Sequence, residues 1–211
     1  MADENSLRER LIDVGVDLVL TEGSASVGLR EIARRAGVSH GAPRRYFATH
    51  HALLSAIARR GFEDLAARFE TAVDPAAPPR AQLERLTKTY VGYALECRGM
   101  FELMFRHDLL DGAQQDDGRP QLRTSTLPLF ERMVTLVGRC REDPDTVHRP
   151  GGSAVPPAVT AAALWSGLHG IAQLWTWGSL QLALAAPPPG DQERDRLVTA
   201  VLDAHLGPVT A

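Results

Sequence analysis

Apolar positions recur at helical spacing through most of the chain. Residues 6–23, "SLRERLIDVGVDLVLTEG", put Leu7, Leu11, Val14 and Leu18 on one face, open with Ser6 and Glu9 at capping-box spacing, and stop at Gly23. This predicts a first helix from Ser6 to Glu22. In "LREIARRAG", Leu29, Ile32, Ala33 and Ala36 share one side while Arg30, Arg34 and Arg35 occupy the other, and Gly37 supplies a left-handed cap. Ser39 follows as the expected N-cap of a third helix, "HGAPRRYF", in which Pro43 removes one early N–H, so that the helix bends or starts late. Two short helices joined by Gly-Val-Ser make a helix-turn-helix.

The pattern continues with Thr49 as an N-cap and Leu53, Leu54, Ile57, Phe62, Leu65 and Phe69 at helical spacing, predicting a long helix to Val73. After the Pro-rich connection "DPAAPPR", two helices are expected on either side of Gly99, with Leu83, Leu86, Tyr90 and Tyr93 inward. "LRTSTLPLFERMVTLVGRCRED" reads as a further helix with a bend at Pro128, and "DPDTVHRPGGSAVPP" as a loop. From Pro150 to Gly190 the chain carries no Asp, Glu, Lys or Arg. That length of uncharged sequence would suffice for a membrane span, yet Thr160, Ser166, His169, Gln173, Thr176 and Gln181 recur through it. The expectation is a helix buried on all sides, within a subunit and against a partner. "DQERDRLVTAVLDAHLG" closes the pattern as an amphipathic helix. No alternating strand pattern and no fixed-period repeat interrupts this sequence, so the expected class is all-α.

Composition adds that a core can be buried: 211 residues with 44% apolar and 23% charged residues describe an ordinary globular protein. Cys97 and Cys140 lie far apart, which suits neither a disulfide framework nor a cysteine metal site. With no apolar signal core behind the charges of "MADENSLRER", the expected location is the cytoplasm. Charge changes the picture more. Between Ser24 and Arg60 seven Arg face Glu31 alone, a local charge of +6 that leaves −9 for the rest of a chain whose total is −3. A basic cluster inside an acidic chain points to a localised polyanion such as duplex DNA.

In a helix-turn-helix, residues near the start of the recognition helix face base edges and neighbouring donors hold phosphates. Ser39, His40, Gly41, Ala42 and Arg44 are therefore expected at or near bases, with Arg44 able to fork onto guanine. Arg30, Arg45, Tyr46, Thr49 and His50 are expected to set position on the backbone, and Phe47 belongs to the core. No H-E-x-x-H, Gly-rich phosphate loop or G-x-S-x-G occurs, and adjacent His50 and His51 diverge on a helix, so no enzyme, cofactor or metal site is expected.

Together, "LREIARRAGVS", the short helix ending "YF" and "HALLSAI" resemble the TetR family of one-component transcriptional regulators. "FELMFR" and "LWSGLHGIAQL" are similar to a C-terminal subtype with a Trp-x-x-x-His-Gly signature, here Trp165, His169 and Gly170. The chain departs from the family pattern at Gly28, where Ser or Thr is usual, and at His50 and His51, where Lys and an acid are usual. The resemblance implies a DNA-binding domain over residues 1–51, an effector-binding and dimerisation domain over 52–211, and a homodimeric repressor released from a palindromic operator by a small molecule. A constitutive DNA-binding or protein-interaction module without a ligand is the alternative. For the effector, Trp165 and His169 share a helix face, and Tyr90, Tyr93, Phe101 and Met104 are candidate walls. Phe62, Phe105, Phe130 and Met133 complete that set, which would equally serve as packed core. Leu164, Leu168, Ile171 and Trp175, then Leu197 and Val201, are expected at the dimer seam.

Overall fold

The computed structural model describes residues 2–24, 27–106, 123–143, 155–184 and 190–208, with side chains from Leu7 onward and without that of Arg123. Among the described residues there is no strand. The order is α1 (Ala2–Glu22), α2 (Leu29–Arg35), a 3-10 helix (Ala42–Arg45), α3 (His50–Ala72), α4 (Pro79–Glu96), α5 (Arg98–Met104), α6 (Arg123–Glu142), α7 (Pro157–Thr176), α8 (Ser179–Leu184) and α9 (Asp191–Leu206). The predicted loops over residues 111–120 and most of 143–157 lie outside the described residues.

The chain packs as two compact units, Met1–Asp64 with Cys97–Thr126, and Leu65–Glu96 with Leu127–Ala211. These cut the chain differently from the functional boundary expected at residues 51 and 52, because α3 runs through both units and α5 packs with the first. The first unit buries Leu11 and Leu18 of α1, Ile32 of α2, Leu53 and Ile57 of α3, and Leu103 of α5 almost completely. Each such side chain contributes about 1.5 to 3 kcal/mol of transfer free energy. Close helix approach depends on glycine: a Cβ at Gly15 would fall 2.4 Å from Ile57 Cδ1, and one at Gly99 would fall 2.3 Å from the Val19 carbonyl oxygen.

In the second unit α7 packs against α4 and α9. Leu83, Leu86, Val137, Leu164, Leu168, Val198 and Leu202 form its interior. Cys140 lies there too, and burial pushes its thiol up to about 11, so it is an inert small hydrophobe.

Three boundaries differ from the expectation. α1 begins at Ala2 rather than being capped at Ser6, since "ADEN" contains nothing that stops a helix from extending backward. The break between α4 and α5 falls at Cys97, with φ −111° and ψ 44°, whereas Gly99 sits inside α5 and serves the close contact with α1. The uncharged segment breaks at Gly178, whose φ is +77°, leaving α7 and a short α8. Of the residues expected at the dimer seam, Leu164, Leu168 and Ile171 are buried within the single chain. Trp175, Leu197 and Val201 are half-buried, and Val201 Cγ1 lies 3.1 Å from the Cβ position of Gly167 in the same chain.

Candidate functional site

The turn after α2 is fixed by backbone bonds: with Gly37 at φ +67°, its N–H donates to Arg34 O at 3.2 Å and the Val38 N–H to Ala33 O at 3.0 Å. The recognition segment then starts late, as a 3-10 helix over Ala42–Arg45 with Gly41 as its N-cap, in place of the α-helix capped by Ser39. Pro43 is the reason, because it has no N–H to give back to Ser39, whose carbonyl instead accepts from the Ala42 N–H at 2.9 Å. The Tyr46 and Phe47 N–H groups both donate to Pro43 O, at 3.0 and 2.9 Å. Pro43 and Phe47 are buried, which anchors the segment. Ser39, His40, Gly41, Arg44 and Arg45 are exposed, and Ala42 and Tyr46 half-buried, so every residue assigned to DNA retains surface.

Thr49 caps α3, its Oγ1 accepting from the Ala52 N–H at 3.1 Å, and its own O–H remains a donor. His50 Nε2 donates to Val27 O at 2.6 Å, tying the start of α3 to the α1–α2 connection. Sequence pattern gave no sign of this bond, since the partners are 23 residues apart. The seven Arg of the basic segment are not equivalent. Arg34 and Arg35 bind Glu31, Arg35 also binds Glu22, and Arg60 binds Glu9 at 2.5 Å. Arg30, Arg44 and Arg45 are exposed and have no acidic partner among the described residues.

In the second unit, Trp165 Nε1 donates to the Tyr90 hydroxyl at 2.9 Å, and that hydroxyl lies 2.9 Å from His169 Nδ1. Burial raises the Tyr90 hydroxyl above its ordinary range, so it keeps its proton. The hydroxyl can accept from Trp165 while its own O–H is available to a neutral Nδ1, an arrangement that puts the imidazole's proton on Nε2. Burial likewise lowers His169 and holds it neutral. Trp165 also meets Phe130 edge to face at 6.3 Å.

The predicted effector residues fall into two groups. Tyr90, Tyr93, Phe130, Met133, Trp165 and His169 belong to the second unit, while Phe62, Phe101, Met104 and Phe105 belong to the first. Within the first group Tyr90, Tyr93 and Met133 are buried and the others half-buried. Within the second, Phe105 meets Phe62 at 5.7 Å and Phe101 at 4.9 Å. Sequence reasoning missed Arg68, whose guanidinium lies 5.0 Å over the Tyr93 ring and is paired with Glu96 at 2.6 Å. An open groove of about 380 Å³ along α9, lined by Gln192, Asp195, Arg196, Thr199, Ala200 and Asp203, contains none of the predicted effector residues. Among the described residues no helix is long and apolar enough to cross a membrane, and no cluster of three or more potential ligands is placed to hold a metal.

Residues 11–57 match the family described as bacterial regulatory proteins, tetR family, and residues 83–204 match the tetracyclin repressor-like C-terminal domain. Among solved structures, a Rhodococcus sp. RHA1 protein of unknown function is 29% identical, with 96% of each chain covered and a TM-score of 0.72. A TetR-like transcriptional regulator, also from Rhodococcus sp. RHA1, is 16% identical over 94% of each chain at a TM-score of 0.61. The multidrug binding protein EbrR, complexed with imidazole, is 25% identical over 97% of this chain and 91% of its own, at a TM-score of 0.53. No curated protein matches the sequence.

Proposed function

The chain belongs to the TetR family of bacterial transcriptional regulators, a family of DNA-binding proteins rather than enzymes, and from that premise we propose that it is a cytoplasmic homodimeric repressor released from a palindromic operator by a small effector. The observation that carries the DNA reading is the recognition turn, where buried Pro43 and Phe47 hold Ser39, His40, Gly41, Arg44 and Arg45 outward. Gly41 and Ala42 allow close approach to bases, and Arg44 reads guanine. Arg30, Arg45, Tyr46, Thr49 and His50 hold phosphates, His50 through its backbone N–H at the start of α3, since its ring donor is given to Val27.

For the effector, the supporting observation is the Trp165–Tyr90–His169 network, a small polar array among aromatic and sulfur side chains in the second unit. Such a setting suits an apolar or aromatic compound with one hydrogen-bonding group that competes for Tyr90 or His169. A small-molecule ligand is also in keeping with the likeness to EbrR, a multidrug binding protein complexed with imidazole. The dimer face is the uncharged outer side of α7, where Val159, Ser166, Leu174 and Trp177 align at helical spacing and Leu174 and Trp177 are exposed. Residues in place of the buried Leu164 and Leu168 thus supply the seam.

A DNA-release assay with a panel of apolar and aromatic compounds tests the repressor reading. Wild type releases its selected duplex with at least one compound, while folded His169→Ala and Trp165→Ala proteins need higher concentrations of it. If both variants bind DNA and respond at unchanged concentration, this network is only core. Should no compound release the wild type, the constitutive reading replaces the inducible one.

A further inference from the structure

Glu31 accepts hydrogen bonds from Arg34 Nε at 2.8 Å and Nη2 at 2.5 Å, the two-point fork that Arg also makes with phosphate. It accepts a third from Arg35 Nε at 2.8 Å, and Glu22 at the end of α1 takes the other arm of Arg35. Arg34 is 65% exposed and stands one turn beyond Arg30 on the same face of α2. An exposed ion pair of this kind contributes little to fold stability. As a competitor for a guanidinium, however, a carboxylate is a close match to a phosphate. The two Arg hold the Glu31 carboxyl down at about 2, mainly through the Arg34 and Arg35 hydrogen bonds, so it stays charged wherever duplex DNA is bound.

We infer that Glu31 limits the electrostatic affinity of the DNA-binding surface: it keeps Arg34, and with Glu22 also Arg35, on internal carboxylates, so that backbone attraction by Arg rests on Arg30 and Arg45. This rests on the DNA-binding reading above. Non-specific affinity comes almost wholly from phosphate contacts and the counterions they release, whereas base contacts in the groove are unaffected by a withheld phosphate contact. Each guanidinium kept on a carboxylate therefore lowers binding to every duplex by the same factor and leaves discrimination between sequences to the base contacts.

The experiment is anisotropy across a salt series with the full-length protein, using one duplex selected from a random pool and one scrambled duplex of equal length. Glu31→Gln binds the scrambled duplex more tightly at low salt, and its slope of log affinity against log salt steepens by about 1.8, at about 0.9 for one Arg34 contact in each subunit of the dimer. Its preference for the selected duplex at a given salt concentration stays as in wild type, because both duplexes gain the same contact. Arg34→Gln alone leaves both slopes as in wild type, and Glu31→Gln with Arg34→Gln restores the wild-type slope at wild-type net charge. A folded Glu31→Gln protein with an unchanged slope overturns the inference. So does an Arg34→Gln protein whose slope flattens as much as that of Arg45→Gln, because Arg34 would already be on phosphate. Wild type that binds neither duplex removes the DNA-binding reading itself.

Discussion

His169 shows how one side chain joins local chemistry to stability. Its burial holds the imidazole neutral, so its folded pKa lies below the ordinary 6.5 and the unfolded chain takes up the proton first. Stability from this residue is present above about pH 6.5 and is lost as pH falls through the window below it. Urea melts at about pH 7 and about pH 5.5 should therefore show a larger loss for wild type than for His169→Gln, which keeps an acceptor for Tyr90 without a titrating ring. Equal losses in the two proteins would mean that the Tyr90 bond does not depend on the neutral ring. The residue types of this network were legible in the sequence, because Trp165 and His169 are four apart on one helix. Tyr90 as the atom between them was not, since it is 75 residues from Trp165 and pattern carries no information on such pairings. For the same reason, counting charges along residues 24–60 found the basic cluster but not the three Arg that internal carboxylates occupy.

At the scale of helices, periodicity placed α2, α3, α6, α7 and α9 close to where they lie, and Gly23 and Gly37 ended α1 and α2 as left-handed caps. What it misjudged were positions where a residue serves a neighbour instead of its own helix. Gly99 read as a helix break, yet it lies within α5 and leaves room for the Val19 carbonyl. Leu164 and Leu168, expected at a seam, are buried within the single chain on the helix that packs against α4 and α9. Two glycine substitutions separate these roles. Gly99→Ala should destabilise by about 1 to 3 kcal/mol, since the new methyl meets backbone that cannot rotate away. Gly92→Ala, with nothing within 4 Å of its Cβ position on α4, should stabilise by about 0.5 to 1 kcal/mol through helix entropy. Denaturant midpoints decide, and similar values for the two variants would mean that α5 moves easily away from α1.

For the whole molecule, the second unit leaves an uncharged apolar edge at the end of α7 and on α8: Trp177 is 63% and Leu182 84% exposed in the single chain. A second copy covering this face makes folding depend on concentration. Leu174→Glu with Trp177→Glu should sediment as a monomer at micromolar concentration where wild type is a dimer, and a dimeric double variant would place the seam elsewhere. Dimerisation in turn sets the DNA geometry, because a two-fold axis repeats the recognition turn about one helical turn away, roughly 34 to 36 Å. The most direct measurement is selection of bound duplexes from a random pool by wild type and by Arg44→Ala. The account predicts that wild type enriches a palindrome with half-sites at that spacing, and that Arg44→Ala loses preference at one position in each half-site, a cost of about 1 to 3 kcal/mol per contact. Enrichment of no palindrome, or of identical sites by the two proteins, would contradict it.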